Sequence, residues 1–166
     1  MKSIHIPVGT IPAIAAALVL AACGGTVSTT SGGAAASPSS AALIQTASMK
    51  IGDKTETVLK NTKGLTLYYF TADTATTVAC TGGCASNWPP LLSTSGTPSS
   101  NPALPGRLTV LNGANGDQVL YNGHPLYTYV NDADAGDAYG QGISGKWFVA
   151  TPALAAVATS STPYNY

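Results

Sequence analysis

Two cysteines four positions apart, Cys80 and Cys84, are the sharpest chemical feature of the chain. In an exported protein two thiols at this spacing most simply form a disulfide, and Gly82 and Gly83 between them let the backbone turn tightly. The competing reading is soft-metal or redox chemistry. Two sulfurs joined by the imidazole of His124 would make a ligand set suited to copper as Cu(I). No βαβ pattern surrounds the cysteines, so a thioredoxin-like scaffold is disfavoured and the structural staple is the expectation. The remaining stock of reactive side chains is thin. Glu56 is the only glutamate, and neither Gly-x-Ser-x-Gly nor His-Glu-x-x-His occurs. A Gly-rich phosphate cradle carrying Lys is also absent. With so few general bases the sequence leans against an enzyme.

Two carboxylates stand out by context. Asp73 and Asp132 each follow a tyrosine by five residues, Tyr68 and Tyr127, with Phe70 and Tyr129 two positions beyond the tyrosines. Both aspartates lie just past short aromatic stretches that read as strands. A carboxylate there is expected to accept backbone N–H groups of the following turn. A symmetric ligand or cation site is the alternative. The stretch 131–137 resembles a calcium loop at a glance, but counting from Asp132 puts Gly136 fifth and Ile143 twelfth. An EF-hand needs Gly sixth and Glu twelfth, so a solvated acidic turn is expected. His124 precedes Pro125 in a hairpin turn and is expected to be solvated there.

The elements that must position these groups carry β signals. Residues 67–70 and 126–130 are short and aromatic. Residues 108–111, 118–121 and 126–130 are separated by Asn112-Gly113-Ala114-Asn115-Gly116 and by Asn122-Gly123-His124-Pro125. Asn-Gly supplies the positive φ angles of tight hairpins, so 107–130 reads as a three-stranded meander. A second hairpin is expected from 49–51 and 55–59 around Gly52-Asp53. Tyr68 and Phe70 share one strand face, as do Tyr127 and Tyr129. With Trp88 and Trp147 they could pack a common core.

The body repeats itself. A shift of 59 residues lays Gly64, Leu67, Tyr68 and Asp73 onto Gly123, Leu126, Tyr127 and Asp132, and carries Ala79, Gly83 and Trp88 onto Ala138, Gly142 and Trp147. Tyr-x-aromatic-x-x-Asp, present twice behind an N-terminal export signal, resembles the secreted-repeat lipoproteins of bacteria. The resemblance covers roughly 50–150 and includes both cysteines. It implies a class and an address but no reaction. The turn 111–116 departs from the charged, Arg-Asp-Gly-like turn such proteins often carry.

The address is written in the first 23 residues. Lys2 precedes an apolar run, cleanest over 11–22, that is too short to span a bilayer. Leu20-Ala21-Ala22-Cys23 resembles the bacterial lipobox. That resemblance implies removal of 1–22, diacylglycerol on the Cys23 sulfur with further acylation such as palmitate, and attachment to the membrane through that lipid. Gly24 in place of Asp favours the outer membrane in a Gram-negative cell, or otherwise the outer face of the cytoplasmic membrane. From 24 to 41, 16 of 18 residues are Gly, Ala, Ser or Thr. Such a tether spans about 25 Å as a coil.

Composition sets the outer limits. Seven basic residues balance seven acidic ones, and charged residues make up only 8% of the chain. A nucleic-acid binder needs a basic face to displace counterions, which so few charges disfavour, so nucleic acid is not an expected partner. Eighteen Gly and eleven Pro suit turns rather than a helical bundle. The expected organisation is a signal peptide at 1–22, lipidated Cys23 and tether to 42, a repeat domain at 43–152 and a tail at 153–166. Unit one occupies about 50–92 and unit two about 107–150, joined through a Ser-, Thr- and Pro-rich loop at 93–105. The expected fold is all-β, two pseudo-symmetric antiparallel units with long loops, leaving sandwich, barrel and two-bladed arrangements open. Over 153–159 a weak helical turn is expected. The expected role is a non-catalytic binding or structural module of the envelope, with a further envelope protein as a possible partner.

Overall fold

The computed structural model describes residues 42–94 and 96–157. The signal peptide, Cys23 and most of the tether therefore lie outside the described residues, as does the end of the tail. The fold is all-β, with eight strands, one short helix and one 3₁₀ turn among the described residues. Strands β1 (Ile44–Ile51) and β2 (Lys54–Asn61) form a hairpin, joined at the edge by β4 (Ser100–Asn101). The other sheet has the order β5-β6-β7-β3-β8. It comprises β5 (Leu108–Gly113), β6 (Gly116–Tyr121), β7 (His124–Tyr127), β3 (Tyr68–Phe70) and β8 (Trp147–Val149). The expected meander is β5-β6-β7, and β7 ends at Tyr127, short of the expected 130.

Local chemistry explains the hairpins. The β6–β7 turn is Asn122-Gly123, with φ of 51° and 83°. A two-residue type I′ turn requires positive φ at both positions, which Asn and Gly tolerate best. The β1–β2 pair runs in continuous antiparallel register from Ile44 opposite Asn61 to Ile51 opposite Lys54. The outer half of β2 is exposed, whereas Val58, Leu59 and Lys60 are buried in succession. Consecutive burial means that both faces of this end are covered.

What covers it comes from the other repeat. Strand β8 pairs with β3, Phe70 opposite Trp147. The chain then runs on so that Ala150 N donates to Leu67 O while Leu59 N donates to Ala150 O. The mirror arrangement holds in the second unit. The segment after Trp88 enters where β6 and β7 splay, with Leu91 N donating to Leu126 O and Val119 N to Leu91 O. Each repeat therefore completes the sheet of the other. At the centre β3 and β7 pair directly, Tyr68 opposite Tyr127. The turn of the first unit is one residue longer, so Lys60 faces Thr66 where Leu120 faces Pro125.

The helical turn expected over 153–159 does not form within the described residues. A single turn closes from Leu154 N to Thr151 O, and the chain then extends along the β6–β7 turn, Val157 N donating to Asn122 O. Asn122 Nδ2 holds Leu154 O at 2.7 Å and Tyr121 Oη holds Pro152 O at 2.7 Å. These bonds satisfy carbonyls that a helix would have paired internally.

Candidate functional site: paired tyrosine–aspartate bonds around an aromatic stack

The aspartates do accept turn amides, as expected. Asp73 Oδ1 takes Ala79 N–H at 2.7 Å and Asp132 Oδ1 takes Tyr139 N–H at 3.0 Å. The second oxygen of each does something the sequence reading missed. Tyr127 Oη donates to Asp73 Oδ2 at 2.7 Å, and Tyr68 Oη donates to Asp132 Oδ2 at 2.6 Å. The tyrosine of each repeat thus bonds the aspartate of the other. One sign was available in the sequence: two tyrosines placed for burial need hydrogen-bond acceptors.

All four groups are buried. Burial raises both carboxyls above the ordinary range, opposed by the tyrosine and turn-amide hydrogen bonds. The same burial, reinforced by the neighbouring carboxylates, holds both phenols far above their usual range. These tyrosines stay protonated donors, and short charge-assisted O–H···O⁻ bonds are the strong kind.

Between the two bonds lies a column of rings. Trp88 and Trp147 stack with centroids 3.7 Å apart and parallel planes. Phe70 stacks on Trp147 at 4.4 Å, and Tyr129 stacks on Trp88 at 4.3 Å. Rings from the two repeats alternate along the column, and the 59-residue shift exchanges its ends. Tyr68 meets the Trp88 edge at 5.5 Å and Tyr127 meets Trp147 at 5.1 Å. Both indoles are buried, while the outer rings of Phe70 and Tyr129 are half-buried. Gly140 passes so close that an added Cβ would sit 2.7 Å from the Tyr68 ring and 2.9 Å from Trp88. Only a residue without a side chain fits there.

The symmetry breaks beside Asp132. Lys60 is buried, and its ammonium donates to Thr66 Oγ1 at 2.8 Å and Ala135 O at 2.7 Å rather than to a carboxylate. Burial lowers its pKa, against the pull of Asp132 and Asp137. Thr66 Oγ1 in turn donates to Asp137 O. The expected solvated acidic turn is therefore only partly solvated. Asp134 is exposed, but Asp132 is buried and Asp137 Oδ2 caps the amides of Ala133 and Asp134 at 2.9 Å. Beside this loop a cleft of about 470 Å³ opens toward the β1–β2 turn, with the Tyr139 ring exposed at its rim.

Cys80 and Cys84 form a disulfide, with Cα atoms 5.2 Å apart. In this state the sulfurs bond each other and offer no thiolate. Cys84 lies in helix α1 (Gly83–Asn87), which leads to Trp88. The expectation of a solvated His124 is overturned. Its ring packs edge-on to Tyr69 at 4.9 Å, Nε2 meets Ala155 O at 3.0 Å, and Nδ1 is buried without a hydrogen-bond partner. The C-terminal segment laid along the turn is what covers it. Burial lowers the His124 pKa, against the Ala155 carbonyl and Asp73. Among the described residues no cluster of three or more His, Cys, Asp or Glu side chains is arranged to hold a metal ion. No helix among them is long and apolar enough to cross a membrane.

Comparison with known proteins gives one match. No curated protein and no solved structure resembles the chain. A family described as a secreted repeat of unknown function matches twice, over 51–92 and 109–151. Each match contains one tyrosine of the crossed bonds, one ring of the column's ends, one aspartate and one stacked tryptophan, in the same order. With two copies covering more than half of its length, the chain belongs to the secreted-repeat family and is a secreted protein.

Proposed function

We propose that this chain is a lipoprotein of the cell envelope, tethered through Cys23, whose two-repeat body serves as a rigid, non-catalytic binding or structural module. One observation carries the reading of the body. Most of the groups with chemistry to offer are spent inside the fold: Tyr68 and Tyr127 on the two buried aspartates, both body cysteines on each other, and Lys60 on Thr66 and a carbonyl. The anchor is supported by the sequence, where small residues precede Cys23 at the end of an apolar run and a Gly/Ala/Ser/Thr tether follows. Two or more acyl chains hold stably, at about 0.8 kcal/mol per buried CH₂. The tether would keep the body clear of the headgroups, free to meet an envelope protein.

The test is detergent phase partitioning of the protein made in its native export pathway. The wild type should enter the detergent phase, and Cys23→Ala should be found in the aqueous phase or remain unprocessed. A processed wild type that stays aqueous, with an unmodified N-terminus beyond Cys23, would remove the anchor from this reading.

A further inference from the structure

We propose that the ring column and its two tyrosine–aspartate pairs form a one-electron relay, in which an oxidising equivalent enters the indoles Trp147 and Trp88 across the end ring of Phe70 and comes to rest on Tyr68 or Tyr127. The column provides the path. Phe70, Trp147 and Trp88 follow one another at 4.4 and 3.7 Å, so each ring is in van der Waals contact with the next and no gap interrupts the transfer. Phe70 is half-buried and has no O–H proton to lose, so an external reagent reaches the indoles across it. The two indoles are shielded from water, which protects a transient indole radical from side reactions.

The pairs provide the resting place. A phenol that loses an electron becomes a strong acid and must release its proton. Tyr68 Oη already points that proton at Asp132 Oδ2 from 2.6 Å, and Tyr127 Oη points its own at Asp73 Oδ2 from 2.7 Å. Both phenols lie edge-on against an indole of the column. The balance is complete. A one-electron oxidant, of the class of high-potential metal complexes, is reduced by one electron. One phenol O–H bond breaks, the proton moves to the facing carboxylate, and a neutral tyrosyl radical remains. An external one-electron donor, of the enediol or quinol class, returns the electron while the carboxyl returns the proton. Burial makes those carboxylates better bases than exposed ones, and a low dielectric strengthens each short bond.

The test is flash oxidation of the whole secreted chain with photogenerated ruthenium(III) tris-bipyridine, followed by transient absorption and frozen-solution electron paramagnetic resonance. An indole radical should appear first and a tyrosyl radical should grow from it, more slowly in D₂O. In Tyr68→Phe/Tyr127→Phe the tyrosyl signal should fall several-fold and the indole radical should persist, while Tyr139→Phe, which removes the exposed ring outside the column, should leave the signal intact. A tyrosyl signal unchanged in the double variant, or lost with Tyr139, would overturn the relay. If the double variant does not fold, the wild type decides: growth of the tyrosyl signal at the same rate in H₂O and D₂O, or with no preceding indole radical, would refute it.

Discussion

Replacing Tyr127 by Phe removes one oxygen from the interior and leaves the ring in place. Tyr127 is inaccessible to solvent and Asp73 is 7% exposed, so neither group regains water when the bond is lost. Asp73 keeps the Ala79 amide at 2.7 Å, which limits the damage to one partner. A hydrogen bond to a charged group contributes about 1.5–3 kcal/mol, so a loss of about 2 kcal/mol is expected. Tyr68→Phe should cost somewhat more, because Tyr68 Oη also accepts Gly140 N–H at 3.3 Å. The assay is equilibrium urea denaturation of residues 42–166, reading a lower midpoint at unchanged slope. Combining Tyr127→Phe with Asp73→Asn should give a coupling energy of about 1–2 kcal/mol, since the two residues share the bond. Combining Tyr127→Phe with Tyr68→Phe tests whether the two bonds are independent. A cost below about 0.5 kcal/mol for both single variants, the size of an ordinary surface substitution, would refute the claim that the crossed bonds hold the repeats together.

Reduction of the Cys80–Cys84 disulfide should lower stability by about 2 kcal/mol, the loop-closure value for so short a ring, measured as the urea midpoint with and without reductant. The pH dependence has two parts of opposite sign. His124 has a lowered pKa in the fold, so its contribution is present above 6.5, the ordinary imidazole value, and is lost as pH falls through the lowered value; His124→Gln should flatten that acid-side loss. Asp73 and Asp132 have raised values, so their contribution is present below 3.8, the ordinary carboxyl value, and is lost as pH rises through the raised ones. A midpoint profile for Asp73→Asn/Asp132→Asn that keeps the same acid-side slope as the wild type would contradict this.

Features that depend on neighbours in the chain were open to sequence reading. Asn122-Gly123 dictates its own turn, Gly52-Asp53 closes the first hairpin, and the 59-residue shift lines up both tyrosine–aspartate–tryptophan sets. Features that depend on pairing between distant segments left no local mark. Nothing in the sequence of 147–150 says that it enters the first unit rather than its own, because strand exchange between similar units preserves the same periodicity. Lys60 sits in a charged, polar strand and reads as exposed, yet the incoming Ala150 segment closes over that end of the hairpin. His124 reads as a turn residue, which it is, but the segment carrying Ala155 returns from the chain end to cover it. The aspartates were legible through one oxygen only, since the turn amides are local and the tyrosines are not.

The interlocked strands also constrain the order of events at birth. The first repeat cannot close its sheet until 147–150 arrives, and those residues follow the whole of the first repeat in the chain. During synthesis and passage across a membrane, the leading half therefore lacks the partner that would let it fold. The connectivity itself thus defers closure of the first repeat until the second tryptophan and the strand it begins have been made.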